Sequence, residues 1–492
     1  MKKILFVIAE MFYSEPIGVM QLSAILKRHG HKTKLTILSE NRFIKDVIQF
    51  EPDLIAYSTM SPDVGIFKMA DSHLKDYLHK KNKQITRIMG GAHPTYFNYI
   101  LEEMHLDAIC VGEGDNAILE IVKRISQKSN NYSNIRNVIS VGEKIFEKEI
   151  INDLDSLPFI DREIIYTAAP EYRDIAIRSI LTSRGCPYRC TYCFNHSYNK
   201  LFKGVGKIVR RASVDRVINE LKYVVKNWQP VKIIRFGDDT FVYREDNWLI
   251  KFAEEYKKEI NIPFYCLMRS NTLSENIAQL LREAGCVSIG MSIETGDEQV
   301  RNNILNRNLP NEAVLKSFEI ASKYGLKTYA NCMLGIPGTR LKDDYLTVKF
   351  VKKLKVTVPT FAIFAPYPGT ELTTYALENG LLDKIDEYPM LNNISMLKCY
   401  TKKEKIEQFR LSHLGTLYYF LPRFLNFSLK PLAKLKLTVF YNFIDSLLIS
   451  YLLGAKIFFN PYPKNLKYIL KHIWRTISYT MCIGKKTQSK TQ

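Results

Sequence analysis

Three cysteines lie close together in one short stretch of the chain. The segment SRGCPYRCTYCFN, residues 183–195, holds Cys186, Cys190 and Cys193, whereas the other six of the nine cysteines are scattered singly. A structural zinc site usually takes four ligands, so His196 would have to serve as the fourth. Three thiolates can instead bind an iron–sulfur cubane and leave one iron with an open coordination position. The spacing predicts a metal or cluster site, with zinc as the alternative.

The remaining cysteines and the amino terminus indicate a reducing compartment. The first residues, MKKILFVIAEMFYSEPIG, contain an apolar run that Glu10 and Pro16 break too early for a signal peptide. We therefore expect a cytoplasmic protein, in which disulfide bonds are disfavoured. Single cysteines in apolar runs behave as small hydrophobic residues, and we expect this of the residues at positions 110, 266, 286, 332, 399 and 482.

Residues 171–385 show six repeats of an apolar strand followed by a polar loop and, in most repeats, a helical pattern. Such repeats predict a partial (β/α)6 barrel, with its chemistry on the loops at the carboxyl ends of the strands. The three cysteines follow the first of these strands. The six strand segments are IAIRSILTS, VKIIRFGDD, PFYCLMRSN, VSIGMSIETG, KTYANCMLGIPG and TFAIFAPYPGT.

Residues 1–135 alternate strands and amphipathic helices in the same way. This pattern predicts a doubly wound, Rossmann-like α/β domain with a parallel sheet, which binds ligands at the carboxyl ends of its strands. Polar, glycine-bearing loops fall at those ends, with the sequences STMSPD, GGAHPT and GEGD. The polar, weakly patterned stretch 136–170 is predicted to be a linker.

The CxxxCxxC spacing, with Tyr192 directly before the last cysteine, resembles the cluster loop of radical S-adenosylmethionine (radical SAM) enzymes. The resemblance implies that Cys186, Cys190 and Cys193 hold a 4Fe-4S cluster. It also implies that the open iron chelates S-adenosylmethionine, whose reductive cleavage gives a 5'-deoxyadenosyl radical.

Later barrel loops carry residues that contact S-adenosylmethionine in similar enzymes. Carboxylates suit its ammonium and hydroxyl groups, and an arginine suits its carboxylate. The alternative is that Asp238 or Asp239 is a turn or helix-cap residue and that Arg269 makes a surface pair. The residues that the resemblance assigns to this cosubstrate are Tyr192, Asp238, Asp239, Arg269, Asn271, Glu294, Gly335, Ile336 and Pro337.

The amino-terminal sheet resembles the cobalamin-binding module of cobalamin-dependent radical SAM proteins. It lacks the DxHxxG motif that supplies a histidine to cobalt in many cobalamin proteins, and His73, in the partial match DSHLKD, is expected to be a surface residue of a helix. We expect cobalamin without a histidine ligand from this domain, the alternative being a sheet that no longer binds cobalamin. The expected cobalamin contacts are Ser58, Thr59, Gly90, Gly91, His93, Pro94, Gly112, Glu113 and Gly114.

Residues 386–492 are predicted to form a basic, aromatic-rich helical region. From residue 398 onward the chain has 17 Lys and Arg against three acidic residues, and its net charge is +20 over all 492 residues. The accompanying apolar runs favour a lipid interface over nucleic acid. Residues 440–459 are long enough to span a bilayer, but Asp445 makes an interfacial or core helix the preferred interpretation. A helical cap over the barrel mouth is the alternative.

Together these resemblances imply a cobalamin-dependent radical SAM methyltransferase acting on an unactivated carbon of a small-molecule or lipid substrate. A reductant such as flavodoxin or ferredoxin would supply electrons. The same parts could instead serve a cyclase, a ring-rearranging or a hydrating enzyme. A non-catalytic cobalamin or cluster sensor is the remaining alternative. No residue is assigned as a general base, and Cys332 and Cys399 are expected to be structural rather than hydrogen donors.

Overall fold

The computed structural model describes most of the chain as two compact units. Unit 1 comprises Met1–Arg173 and Tyr198–Ala212, and unit 2 comprises Asp174–Ser197 and the chain from Ser213 onward. Both units are mixed α/β, as predicted. The described residues are 1–11, 15–143, 146–383 and 394–458.

Unit 1 is built on a six-stranded sheet. Its strands are β1 (Lys3–Ile8), β2 (Lys32–Ile37), β3 (Leu54–Ser58), β4 (Thr86–Gly90), β5 (Ala108–Cys110) and β6 (Val138–Ser140). Its helices are α1 (Ile17–Arg28), α2 (Phe43–Phe50), α3 (Val64–Lys81), α4 (Ala92–Tyr96), α5 (Ile100–Glu103), α6 (Ala117–Ser126) and α7 (Glu163–Ala168). The strand order is β2-β1-β3-β4-β5-β6, and all pairs are parallel except β5–β6. This order confirms the doubly wound domain and reverses direction between β1 and β3, where such sheets bind ligands.

The predicted linker 136–170 is instead part of unit 1. β6 pairs with β5, and α7 packs against β2. Arg162 is 1% exposed, and its Nη1 lies 2.8 Å from both carboxylate oxygens of Glu15. A three-residue strand is too short to show a periodic pattern, so no sequence signal indicated it. The first unit therefore runs to Arg173 rather than ending at residue 135.

Unit 2 is built on a second six-stranded sheet, in the order β14-β13-β12-β11-β10-β7, with every pair parallel. The strands of this sheet are β7 (Ile177–Ile180), β10 (Ile233–Phe236), β11 (Phe264–Leu267), β12 (Cys286–Gly290), β13 (Lys327–Leu334) and β14 (Val358–Ile363). Unit 2 also contains the short strand β8 (Ser183–Arg184), and the Tyr198–Ala212 segment of unit 1 contains β9 (Arg210–Arg211). All six predicted barrel strands are present. The sheet has β7 and β14 as its two edges, so the barrel is partial, as predicted.

Helices follow the strands of unit 2 and continue beyond the last of them. They are α8 (Phe194–Leu201), α9 (Val214–Asn227), α10 (Asn247–Glu259), α11 (Glu275–Ala284), α12 (Asn311–Lys323), α13 (Leu341–Val351), α14 (Glu371–Glu378), α15 (Lys402–Phe420), α16 (Leu429–Lys434) and α17 (Thr438–Leu452). The last helices confirm the helical carboxyl-terminal region. Because α15 packs against β14, this region is continuous with the barrel. Cys482 lies outside the described residues.

The ion pair between Arg162 and Glu15 tests whether the stretch 136–170 belongs to unit 1. Arg162→Ala leaves the largely buried Glu15 carboxylate without its cation, which typically costs about 3–5 kcal/mol. We expect a large fall in the denaturation midpoint, measured by circular dichroism. Arg136→Ala is the control, because Arg136 lies on the surface and pairs there with Glu147 and Glu149. Equal, small effects of the two substitutions would contradict this placement.

Candidate functional site

The three clustered cysteines lie on the loop between β8 and α8. Cys186 is buried, whereas Cys190 and Cys193 are partly exposed, and none of the three forms a disulfide bond with another described cysteine. The loop is anchored at Thr191, whose Oγ1 donates to the carbonyl of Ile304 at 2.7 Å. The backbone amide of Leu372 donates to the Thr191 carbonyl at 2.9 Å. The thiols therefore sit on a loop whose backbone is fixed by later barrel segments.

His196 has a partner of its own. Its Nε2 lies 3.1 Å from Oε1 of Glu371, so the side chain is directed to α14. Among the described residues, no group of three or more His, Cys, Asp and Glu side chains is placed to hold a single metal ion. A cubane presents a separate iron corner to each thiolate, so its ligands need not converge on one point. This arrangement favours the cluster over the zinc alternative.

Burial and negative charge oppose ionisation of the Cys186 and Cys193 thiols. Burial raises the pKa of Cys186 to about 11 and that of Cys193 to about 12, and the charge of Asp239 acts in the same direction on both. Thiolates that bind a metal must be deprotonated. An iron cluster that binds here would therefore have to displace the thiol protons. Its positive iron ions would offset the negative charge of the thiolates and of Asp239.

A buried polar network connects the cysteine loop to the loop after β12. The Tyr192 hydroxyl donates to Oε1 of Glu294 at 2.7 Å, and Nη1 of Arg307 donates to the same oxygen at 2.8 Å. Arg307 is also 2.7 Å from the Tyr192 oxygen and donates through Nη2 to the Ser292 carbonyl. Burial lowers the pKa of Arg307, but Tyr192 and Glu294 outweigh it and raise the pKa above its ordinary value. The guanidinium therefore stays charged.

This network includes two of the predicted cosubstrate residues. Glu294 is 6% exposed, and its Oε1 accepts hydrogen bonds from Tyr192 and Arg307. Glu294 and Tyr192 therefore hold the loop in place, and their contact with the cosubstrate stays a prediction. Arg307 was not predicted to be a site residue, because apolar residues show no periodic spacing in the segment RNNILNRNLP that contains it. Two arginines among asparagines between a strand and a helix are the signal that could have indicated it.

Arg269 is the predicted residue best placed to receive a carboxylate. Its guanidinium carbon lies 4.2 Å from the ring centroid of Tyr188, which is within the cysteine loop. Its Nε is buried and has no hydrogen-bond partner in the described part of the chain. Asn271 and Asp239 are exposed on the segments that follow β11 and β10. These groups fit the polar end of S-adenosylmethionine.

Asp238 does not share this placement. It is fully buried, and its Oδ1 accepts from the Thr182 amide and hydroxyl at 3.0 and 2.9 Å and from the Ser183 hydroxyl at 2.5 Å. Burial raises its pKa to about 6. Asp238 therefore fixes the chain just before the cysteine loop through Oδ1, and its contact with the cosubstrate stays a prediction.

The GIPG loop after β13 has two glycines with left-handed backbone conformation, Gly335 and Gly338, and two buried side chains between them. Gly335 adopts φ 66°, and its amide donates to Oδ1 of Asp344 at 2.8 Å. Ile336 packs in a core cluster with Phe364 and Tyr400, and Pro337 is also buried. The side chain of Ile336 therefore belongs to the core, and a contact of Gly335, Ile336 and Pro337 with the cosubstrate stays a prediction.

In unit 1, three predicted loops meet at the carboxyl ends of β3 to β5. The amide of Thr59 donates to the Gly90 carbonyl, and that of His93 to the Thr59 carbonyl. Gly91 has φ 100°, and a Cβ there would lie 2.7 Å from the Thr59 carbonyl oxygen. Thr59 is 1% exposed, and its hydroxyl has no hydrogen-bond partner among the described residues. A buried hydroxyl of this kind fits a ligand with an amide rim, as cobalamin has.

Other predicted cobalamin residues stabilise the loops themselves. The His93 ring is 1% exposed, pairs with the Ser61 hydroxyl and stacks on Phe97. The Glu113 carboxylate accepts from the Ile151 amide and pairs with Arg210 at 2.7 Å. These two side chains thus hold the loops in place, and their contact with cobalamin stays a prediction.

The other members of the predicted set lie on the same loops. Gly112 has φ 84°, and a Cβ there would clash with the ring of Phe202. Ser58 is partly exposed, Pro94 is buried, and Gly90 and Gly114 adjoin Cys110. His73 is exposed on α3, as predicted.

The geometry agrees with comparisons to known proteins. A model of the Radical SAM superfamily matches residues 180–351, and a model of the B12 binding domain matches residues 7–122. The chain belongs to the cobalamin-binding radical SAM enzymes. The cofactors predicted for it, a 4Fe-4S cluster, S-adenosylmethionine and cobalamin, are those of this family.

Similar proteins support this assignment over most of the chain. An uncharacterised methyltransferase of Pyrococcus horikoshii is 25% identical over 427 residues, covering 83% of this chain and 89% of the relative. Hopanoid C-3 methylase of Methylococcus capsulatus is 21% identical, covering 73% of this chain and 68% of the relative.

Two solved structures share the fold. The cobalamin-dependent radical SAM enzyme OxsB, solved with aqua-cobalamin and S-adenosylmethionine, has a TM-score of 0.68 at 14% identity and covers 100% of this chain and 80% of its own. The methyltransferase TsrM from Kitasatospora setae, solved with cobalamin and a [4Fe-4S] cluster, has a TM-score of 0.63 at 15% identity. That match covers 78% of this radical SAM enzyme and 76% of TsrM.

Because Arg307 is buried in this network, we expect its substitution to lower both the stability of the protein and its binding of the cluster. Arg307→Ala leaves the Glu294 carboxylate buried without its cation, at a typical cost of about 3–5 kcal/mol. We expect a lower melting temperature and less iron per chain after anaerobic reconstitution. Arg244→Ala, at an exposed arginine of the same unit, should change neither. Full iron content and an unchanged melting temperature in Arg307→Ala would contradict the role of the network.

Asp344 predicts a pH dependence of stability. Burial raises its pKa from 3.8 to about 7. Between about pH 4 and pH 7 the folded chain therefore holds a proton that the unfolded chain releases, and the free energy of unfolding falls as the pH rises through this window.

Asparagine at this position cannot ionise. The melting temperature of the wild type should fall between pH 5 and pH 8, and we expect this fall to be smaller in Asp344→Asn. Asp215→Asn, at an exposed position, is the control and should behave like the wild type. Parallel pH profiles of the wild type and Asp344→Asn would refute this account.

Proposed function

We propose that this enzyme transfers a methyl group to an unactivated carbon of a lipid, a pigment or a natural-product intermediate. The observation that carries the proposal is the set of three free thiols on a fixed loop, with His196 paired to Glu371, in a chain that also contains a B12 binding domain. The similar Pyrococcus protein and hopanoid C-3 methylase are both named for methyl transfer, and a hopanoid is a lipid with unactivated carbons.

In this proposal some residues bind the cluster, some contact S-adenosylmethionine, and others hold the loops in place. Cys186, Cys190 and Cys193 would hold the cluster, and Arg269 with Asp239 would meet the charged end of S-adenosylmethionine. When bound, the cluster and S-adenosylmethionine supply the hydrogen-abstracting radical, and cobalamin supplies the methyl group. The chain contributes the positions of these groups and a largely apolar barrel that limits the access of water.

The backbone of unit 1 would provide the cobalamin site. Gly91 allows close approach of the backbone, and the buried Thr59 hydroxyl offers a hydrogen bond. His93 is turned toward Ser61 and Phe97, and His73 lies on the exposed face of α3. These observations support binding of cobalamin without a histidine ligand from this unit. A small electron carrier such as flavodoxin or ferredoxin would be the reductant.

Product analysis tests the proposal. Anaerobically reconstituted enzyme, given a cell extract, a reductant and S-adenosylmethionine labelled in its methyl group, should form 5'-deoxyadenosine and S-adenosylhomocysteine together. The label should appear on a carbon atom of an extractable molecule. The triple substitution of Cys186, Cys190 and Cys193 by alanine should abolish both products and the iron–sulfur absorbance, whereas Cys399→Ala, at an exposed thiol, should retain them.

The same assay separates the alternatives. Formation of 5'-deoxyadenosine without S-adenosylhomocysteine would indicate ring chemistry or hydration and would contradict methyl transfer. Formation of neither product by a cluster-loaded enzyme would indicate a sensor.

A further inference from the structure

The carboxyl-terminal helices of unit 2 expose an unusual number of large apolar side chains. On α17, Phe440, Phe443, Leu447 and Tyr451 recur at a spacing of three or four residues, so they share one helix face. Phe424 and Phe427, just before α16, are each 76% exposed. We call these six residues the apolar face. Exposed apolar surface on this scale normally marks an interaction site.

The opposite side of α17 is packed against the protein. Tyr441, Asn442 and Asp445 are buried, and Oδ2 of Asp445 lies 3.2 Å from Nδ1 of His413 on α15. The acidic residue that interrupts the apolar sequence is therefore directed into the unit and away from the apolar face.

Both ends of α17 are attached to the rest of unit 2. At its start, Nε of Arg410 donates to Oγ1 of Thr438 at 3.0 Å. Just after its end, the Ser288 hydroxyl of β12 donates to the Ile457 carbonyl at 2.7 Å. Among the described residues, Thr438–Ile457 is the one helical stretch long and apolar enough to cross a membrane, and 28% of its apolar part is buried. Because it is attached at both ends and along its length, it lies on the surface of the unit.

Positive charge accompanies the apolar face. Arg423, Lys430, Lys434 and Lys436 are all exposed. Between residues 420 and 451 the only acidic residue is Asp445, which is buried against His413. The surface around α16 and the start of α17 therefore combines exposed aromatic rings with exposed cations.

A cavity of about 540 Å³ adjoins this surface. Lys430 and Lys434 of α16 and Lys342 and Lys349 of α13 line it, together with the apolar Leu346. The lining also includes the carboxylate of Glu407, which accepts a hydrogen bond from the Tyr345 hydroxyl at 2.5 Å. Four lysines in one cavity attract an anion such as a phosphate group.

We propose that the apolar face docks on an anionic membrane surface, with its aromatic rings among the acyl chains and lipid phosphates at the lysine-lined cavity. Interfacial helices bind in this way, through buried apolar area together with attraction to anionic lipids. A second copy of the chain is a poorer occupant. A twofold interface would place this cationic surface opposite itself, where like charges repel, whereas anionic lipid neutralises them.

Vesicle binding tests the proposal without turnover, so its result is independent of the proposed methyl transfer. The full-length, anaerobically purified enzyme should sediment with vesicles of phosphatidylcholine and phosphatidylglycerol, and much less with phosphatidylcholine alone. Each lysine near an anionic surface contributes about a fivefold change in partitioning. Lys430→Gln combined with Lys434→Gln should therefore weaken partitioning about 25-fold.

Matched variants control for charge and for folding. Lys80→Gln combined with Lys81→Gln, at exposed positions of α3, removes the same charge and should leave binding unchanged. Phe440→Ser with Phe443→Ser should weaken binding, whereas Ile66→Ser with Met69→Ser, at exposed apolar positions elsewhere, should not. Melting temperatures confirm that each variant is folded.

Two outcomes would overturn the proposal. One is equal sedimentation of the wild type with and without anionic lipid. The other is a stable dimer in solution that Phe440→Ser with Phe443→Ser dissociates, which would assign the face to a second copy of the chain.

Discussion

The arrangement of the site depends on one buried ion pair, between Arg307 and Glu294. A charged guanidinium inside a protein is costly unless its charge is paired and its donors find acceptors. Here Glu294, Tyr192 and the Ser292 carbonyl accept hydrogen bonds from Nη1 and Nη2, whereas Nε has no partner among the described residues. Because Tyr192 lies between two of the three cysteines, the pair fixes the cysteine loop relative to the strands of the barrel. The thiols can thus be held in place while Cys190 and Cys193 stay partly exposed.

Much of the fold could be predicted because it depends on local patterns. Parallel strands buried on both faces appear in the sequence as apolar runs, and the six runs of the barrel each became a strand. The grouping of three thiols on one loop could also be predicted, since the cysteines are adjacent in sequence, and their binding of a cluster stays a prediction. Polar residues that follow such strands were correctly expected at the carboxyl ends of the sheets, where Arg269, Asp239 and Thr59 lie.

The roles of individual polar residues could not be predicted, because they depend on contacts distant in sequence. Asp238 accepts hydrogen bonds from residues 55 and 56 positions earlier, and Glu113 pairs with Arg210. A carboxylate after a strand looks the same in sequence whether it faces a cofactor or supports a neighbouring loop. Likewise β6 is defined by its antiparallel pairing with β5 rather than by its own three residues.

The central claim is that three cysteines hold an iron cubane with one iron left open to S-adenosylmethionine. Electron paramagnetic resonance of the reduced, anaerobically reconstituted enzyme tests this most directly. The account predicts the signal of a reduced 4Fe-4S cluster, which changes when S-adenosylmethionine is added because the cosubstrate binds to an iron. A protein that carries zinc, or a cluster whose signal is unaltered by S-adenosylmethionine, would contradict it.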